Sequence, residues 1–190
     1  MYHGNLSPEI AKGLVELKKR IADEKIPSSK IDETINIATW NIRDFGKKKR
    51  KEAAIHYIAE ILGQFDLISI IELGDNLSDL QKVIKILGPY WDIVYSDMIP
   101  DAGGNRERIG FLYDTRAVTF CGLAAEANPP RKKVGQEYES KYGWWRSPYM
   151  ASFRSGNFDF VVLAVHIRWG ANEASRKDEL KLLADRKNVV

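Results

Sequence analysis

The stretch Asp66-Leu67-Ile68-Ser69-Ile70-Ile71-Glu72-Leu73 reads as a β-strand buried on both faces, with the Glu72 carboxylate as the exception near its end. Burying a carboxylate costs several kcal/mol unless it is paired or coordinates a metal. The Gly74-Asp75-Asn76 turn follows at once, so the acid sits where a buried strand reaches the surface. Two readings of Glu72 are open on these residues. It is either a metal ligand, or a strand-end carboxylate that pairs with a lysine or caps the next helix.

Outward from this strand the chain alternates. Ile35 to Ile42 is β-branched and aromatic and predicts a first strand. Lys51 to Leu62 carries Ala54, Ile55, Ile58, Ile61 and Leu62 at helical spacing and closes on Gly63. Asn76 to Leu87 repeats that pattern and stops at Gly88-Pro89. Upstream, Ser7-Pro8-Glu9 has the form of an N-cap with proline at the first helical position, and Ile10, Leu14, Leu17 and Ile21 follow. Pro27-Ser28-Ser29 breaks this leading helix, so 1–34 is expected to be helix and linker and 35–190 the main domain.

From Trp91 the texture changes to strands, expected at Trp91 to Asp97, Arg108 to Asp114, Ala117 to Leu123, Pro148 to Ser155 and Phe158 to Ile167. Ser155-Gly156-Asn157 reads as a tight hairpin turn. Pro100 to Glu107 and Asn128 to Arg146 are expected as long loops, the second holding Pro129-Pro130, Arg131-Lys132-Lys133 and Trp144-Trp145. Ala171 to Arg186 is expected as a final charged helix.

Composition bounds what such a chain can do. Its 190 residues, 44% hydrophobic and 29% charged, suit one domain with a real core and exclude a disordered or fibrous chain. A net charge of +3 favours anionic partners only weakly, so basic chemistry has to be local. The single cysteine, Cys121, excludes internal disulfides and cysteine metal clusters and fits a reducing compartment or a disulfide-free secreted protein. Charges at Glu9, Lys12, Glu16, Lys18, Lys19 and Arg20 interrupt any apolar run near the start. The expectation is a cytoplasmic protein without a membrane partner.

Four segments occur in order: Trp40-Asn41-Ile42-Arg43-Asp44-Phe45-Gly46, Phe65 to Leu73, Arg106-Glu107-Arg108-Ile109-Gly110-Phe111-Leu112-Tyr113, and Val161-Val162-Leu163-Ala164-Val165-His166. Together they resemble the endonuclease/exonuclease/phosphatase superfamily, and the Asn-Ile-Arg-x-Phe-Gly form looks most like deoxyribonuclease I. The resemblance runs from Ile35 to about Arg186 and implies an α/β (α+β) fold, the deoxyribonuclease I-like β-sandwich flanked by helices. It implies a metal-dependent phosphodiester hydrolase, most simply a nuclease acting on DNA. The rival substrate is a phosphoinositide or other phosphoester.

The resemblance also implies roles. Glu72 would hold Mg²⁺, with Mn²⁺ or Ca²⁺ as alternatives, because hard oxygen ligands suit such ions. Asn41, which alone would read as a turn former, would orient that carboxylate and the phosphate. His166, which alone would read as a satisfied core histidine, would hold the scissile phosphate, with Glu107 fixing its tautomer and favouring its charged form. The other reading of Glu107 is a surface ion pair with Arg106 or Arg108. Arg43 and Arg146 would contact phosphate through their guanidinium forks, or else are ordinary exposed arginines. Lys47-Lys48-Lys49-Arg50-Lys51 either faces the substrate or is a solvated run. Trp144 and Trp145 either stack on bases or pack.

The chain departs from the family in two ways. Ile71 stands where members commonly place glutamine. The Gly-Asp-x-Asn and Ser-Asp-His segments, which the family uses for water activation and for its terminal aspartate-histidine pair, do not occur: the one Gly-Asp is Gly74-Asp75 and His166 is the last histidine. The chain is therefore expected to hold the first half of the sandwich, with a bare apolar sheet face that a missing C-terminal half or self-association would cover. By itself it is expected to be a fragment with little turnover. A different class of reading is a catalytically dead scaffold that binds nucleic acid or protein.

Overall fold

The computed structural model describes residues 1–28, 33–100, 106–127, 131–140, 144–168, 170 and 173–185. Helix α1 spans Pro8–Asp23, started by Ser7, whose Oγ accepts from Ile10 N, and by Pro8 at the first position. Strand β1 is Ile37–Phe45, helix α2 is Glu52–Leu62, strand β2 is Leu67–Leu73 and helix α3 is Ser78–Leu87. Strands β3 (Trp91–Tyr95), β4 (Ile99–Pro100), β5 (Arg106–Asp114), β6 (Thr119–Glu126), β7 (Arg131–Val134), β8 (Glu137–Ser140), β9 (Tyr149–Ser155) and β10 (Phe158–Ala164) follow, and then helix α4, Ala174–Asp185. Among the described residues no helix is long and apolar enough to cross a membrane.

The first sheet runs β1-β2-β5-β3, with β4 added beside the start of β5. β1 and β2 are parallel, which requires the α2 crossover between them, and the remaining pairs are antiparallel. β1 alternates: Ala38, Trp40 and Ile42 turn toward α2 and α3, while Ile37, Thr39 and Asn41 point to the other face. Ile55, Ala59 and Leu62 of α2 and Leu80, Val83 and Leu87 of α3 close the core on that side.

The second sheet, β10-β9-β6, lies against the opposite face of the first. Phe153 is the centre of this layer, with its ring 5.5–5.9 Å from those of Phe111, Tyr113 and Phe120. Leu67, Ile109 and Phe111 meet Tyr149 and Ala151 there, which is the face-to-face packing of a sandwich. The three strands cover β2 and β5 and leave Ile37, Thr39 and Asn41 exposed on β1. The face expected to be bare is thus partly covered by the chain's own second sheet, and its uncovered part is at β1.

Several expectations shift, among them β6, which runs Thr119–Glu126, and β10, which ends at Ala164 so that His166 follows the strand. β1 runs three residues beyond Ile42, to Phe45. β5 begins at Arg106, which moves Glu107 from a loop into a strand. The segment expected as one long loop contains the β7-β8 hairpin, paired from Arg131↔Ser140 to Val134↔Glu137. Pro129-Pro130 and the start of the expected final helix at Ala171 lie outside the described residues.

Candidate active site

The ends of β1, β2, β5 and β10 bring the sequence-predicted residues together at one edge of the sandwich. β1 and β2 lose register between Asn41 and Phe45, and β2 and β5 lose it between Ile70 and Leu73. Within these bulges Asp44 and Glu72 take left-handed backbone conformations, φ 53° and 66°. For non-glycine residues that costs about 1–3 kcal/mol each and persists only where surrounding structure holds it. Bulges re-aim side chains, and this one turns Glu72 away from the continuous apolar pattern of its strand. Gly46 and Gly74 make the close approach feasible. A Cβ on Gly46 would lie 2.3 Å from the Asn76 carbonyl oxygen, and one on Gly74 would lie 3.0 Å from the Gly46 carbonyl carbon.

Glu72 is held by neutral donors. Asn41 Nδ2 donates to Oε1 at 2.8 Å and the Asp44 amide donates to Oε2 at 3.0 Å. His166 Nε2 lies 3.6 Å from Oε1. Burial alone would raise the Glu72 carboxyl, but the Asn41 and Asp44 hydrogen bonds and the nearby imidazole outweigh it and hold it below the ordinary value.

Glu107 has the opposite surroundings. Its side chain is 5% exposed, so the surface ion pair with Arg106 or Arg108 does not form. Instead Lys47 Nζ lies 2.8 Å from Oε1, while Arg146 Nε and His166 Nδ1 approach Oε2 at 2.9 and 3.3 Å. Lys47 also reaches Asp44 at 3.4 Å. Burial would lower the Lys47 ammonium, and the hydrogen bond and charge of Glu107, with Asp44, raise it instead.

Glu107 pulls His166 toward its charged form, as expected, but other groups outweigh it. Burial and then the positive Arg146 push the imidazole below its ordinary value, against the pull of Glu107 and Glu72. The shift favours the neutral ring, which keeps one nitrogen with a lone pair.

Arg146 is 9% exposed and lies on Glu107. Arg43 is 91% exposed, with Nε 3.8 Å from Asp44, and stands apart from the cluster facing solvent. Trp144 and Trp145 are half-buried. The Trp145 ring carries the Arg168 guanidinium 5.5 Å from its centroid. Two contributors were not singled out by the sequence. Lys47 was one of five cations in a run, and only the fold directs it inward. Asp79, in the first turn of α3, is a buried carboxylate that accepts from Arg50 N and Lys82 Nζ, both at 2.8 Å, and so pins the loop that follows β1.

One ligand atom each from Glu72, Glu107 and His166 all lie within 4.8 Å of one another, a spacing that could hold a metal ion. No protein-family model and no curated protein matches the chain. Solved structures do match. A functionally unknown conserved protein from Enterococcus faecalis V583 aligns with TM-score 0.55 at 15% identity, over 81% of this chain and 61% of that one. An endonuclease/exonuclease/phosphatase family protein from Leptotrichia buccalis C-1013-b aligns with TM-score 0.53 at 12% identity, over 82% and 62%. The endonuclease/exonuclease/phosphatase from Bacteroides vulgatus aligns with TM-score 0.51 at 15% identity, over 82% and 61%.

The fold is that of the endonuclease/exonuclease/phosphatase proteins. The chain spans about three-fifths of the length of these structures. At such identities the likeness is one of architecture: the endonuclease/exonuclease/phosphatase fold accounts for the two packed sheets and for the strand ends that gather Asn41, Glu72, Glu107 and His166.

Proposed function

We propose that this chain carries the metal- and phosphate-binding part of a divalent-metal-dependent phosphodiester hydrolase acting on nucleic acid, with DNA as substrate. The observation that supports this reading best is the contrast between two neighbouring carboxylates. Glu107 has Lys47 and Arg146 against it, whereas Glu72 accepts from the neutral Asn41 amide and the Asp44 backbone, with the His166 ring 3.6 Å away. Among the described residues no lysine or arginine pairs with this largely buried anion, and its hard oxygen donors fit Mg²⁺, with Mn²⁺ and Ca²⁺ as substitutes.

Glu72 would hold the ion and Asn41 would fix the carboxylate's orientation. The ion would supply charge stabilisation at the phosphoryl oxygens and a more acidic bound water. His166, with Nδ1 directed at Glu107 and Nε2 toward Glu72, would in its protonated form donate from Nε2 to a phosphoryl oxygen near the metal ligand. Lys47 and Arg146 make the floor positive for the developing charge, and exposed Arg43 takes a neighbouring backbone phosphate. None of these groups is placed to remove a proton from water, because Glu107 is engaged by cations. The resemblance assigns that step to the Gly-Asp-x-Asn segment, which is not within these 190 residues.

Calorimetric titration of Mg²⁺ tests the site without requiring turnover. Mg²⁺ should bind the native chain and not Glu72→Gln, and equal binding to both would sink the assignment. Cleavage assays on plasmid DNA, abasic duplex, RNA and a phosphoinositide then test the substrate class, and cleavage that persists in EDTA counts against any metal role.

A further inference from the structure

Away from Glu72 and His166, a groove of about 570 Å³ opens between the start of α2 and the middle of α3. Its charged rim is Lys49, Arg50, Lys82 and Lys85, with Glu52 in the lining and Asp79 paired to Lys82, and its apolar floor includes Ile55 and Ile86. The N-terminal segment forms one wall. Tyr2 N donates to the Ile86 carbonyl at 2.7 Å, and His3 is tied to His56 and Glu60 by contacts of 2.9 Å each. The Tyr2 side chain is thereby presented to the groove while remaining largely exposed.

Two observations favour an anion there. The cations crowd the N-terminal end of α2, where the helix dipole repels them, and Lys51 at the cap position makes no side-chain capping bond. The Arg50 guanidinium, which lines the groove, donates through Nη2 to the Arg43 carbonyl. A smaller hollow of about 110 Å³ joins the groove to the candidate active site, because Lys49 and Lys82 line both and Lys47, on Glu107, lines the smaller. Along α3, Lys82 and Lys85 lie about 6 Å and about 10 Å from Ser78, so the positive charge continues away from the strand ends.

We propose that this groove is an extended phosphate-binding track for the nucleic-acid strand flanking the scissile bond. The strand leaves Lys47, passes Lys49 and Arg50, and places phosphates on Lys82 and Lys85 with a base against Tyr2 and Ile86. Basic residues interleaved with an aromatic ring and an apolar floor suit a single strand, whose phosphates and bases are both accessible. A free mononucleotide would fill the groove but leave the connecting cations unused. The inference rests on the nucleic-acid reading above and adds a path to it.

The test is fluorescence anisotropy in EDTA, which reports binding without turnover, on a 20-nucleotide single strand and on a mononucleotide. Lys49→Glu/Lys85→Glu alters exposed rim residues outside the metal-binding cluster. Lys12→Glu/Lys19→Glu on α1 makes the same change in net charge elsewhere, and circular dichroism checks that both variants fold. The groove variant should weaken 20-mer binding by about tenfold or more and make the salt dependence shallower by about 1.4 in log–log slope, the loss of two phosphate contacts on a single strand. The α1 variant should bind like the native chain. Equal losses in both variants, or a mononucleotide bound as tightly as the 20-mer, would overturn the track. Groove-dependent binding combined with Mg²⁺ binding that ignores Glu72 would instead overturn the hydrolase reading and leave the track standing.

Discussion

Asn41 and Glu72, thirty-one residues apart, meet through a 2.8 Å hydrogen bond at the ends of two parallel strands. Among the described residues it is one of two hydrogen bonds that hold the Glu72 carboxylate, the other coming from the Asp44 amide. Removing it should leave the fold intact and disturb the carboxylate. Asn41→Ala is expected to lower Mg²⁺ affinity by about 10–100-fold, the usual effect of deleting a residue that orients a metal ligand. Calorimetry on the variant, beside a thermal melt, separates this from unfolding, and an unchanged affinity would refute it.

Asp79 should make acid stability legible. Burial would raise its carboxyl, but Lys82 and the Arg50 amide hold it below the ordinary carboxylate value. A depressed folded-state value means that the stabilisation is fully present above the unfolded carboxylate range and is lost as pH falls through the folded one. Asp79→Asn is expected to cost about 2 kcal/mol at pH 7, in line with hydrogen bonds to a charged group. The difference from the native chain should shrink below about pH 4, the ordinary range of an aspartate. Urea denaturation at pH 7 and pH 3 measures both, and a loss that stays constant with pH would contradict the linkage.

Glu179 of α4 accepts the amide of Trp145 at 2.7 Å through one oxygen and the amide of Arg168 at 2.9 Å through the other. It thereby ties together the segment that carries Arg146 and the segment that follows His166. Glu179→Ala should speed amide hydrogen exchange at Trp145 and Arg168 while β2 stays protected. Glu179→Gln should restore only part of the protection, since its amide nitrogen cannot accept the second bond. Native-like exchange in the alanine variant would show that α4 holds these segments by other means.

The aromatic layer between the sheets should dominate stability. Phe153 is fully buried against Phe111, Tyr113, Phe120 and Phe160. Phe153→Ala is expected to cost about 3–5 kcal/mol, read from the denaturation midpoint. Phe158→Ala, at an exposed strand end, should cost far less. Comparable losses at the two positions would mean that the second sheet is not packed as described.

Much of this architecture can be read along the chain because it depends on local periodicity. The apolar run of β2, the helical spacing in α2 and α3 and the turn residues at Gly63, Gly88 and Gly156 each act within a few residues, so the pattern alone places Glu72 at the end of β2, while Asn41 falls within β1 and His166 just past β10. The resemblance carried by four segments added Glu107 and Arg146 to that set. What no local pattern could give was the partnership of charges. Lys47 sits 60 residues from Glu107, and nothing in a run of five cations marks one of them as folding inward.

The same limit governs the bulges at Asp44 and Glu72. A left-handed glutamate is unfavourable on local grounds and exists only because the pairing of β1 with β2 and of β2 with β5 forces it. The β7-β8 hairpin was hidden among proline, charged and polar residues for a related reason: strand formation there depends on a partner rather than on intrinsic preference. Sequence alone determined the helices and most of the strands, and which carboxylate was out of place. Tertiary structure decided which charges meet, because Coulomb and hydrogen-bond energies fall off over a few ångströms and only the folded chain brings residues so far apart in sequence within that range.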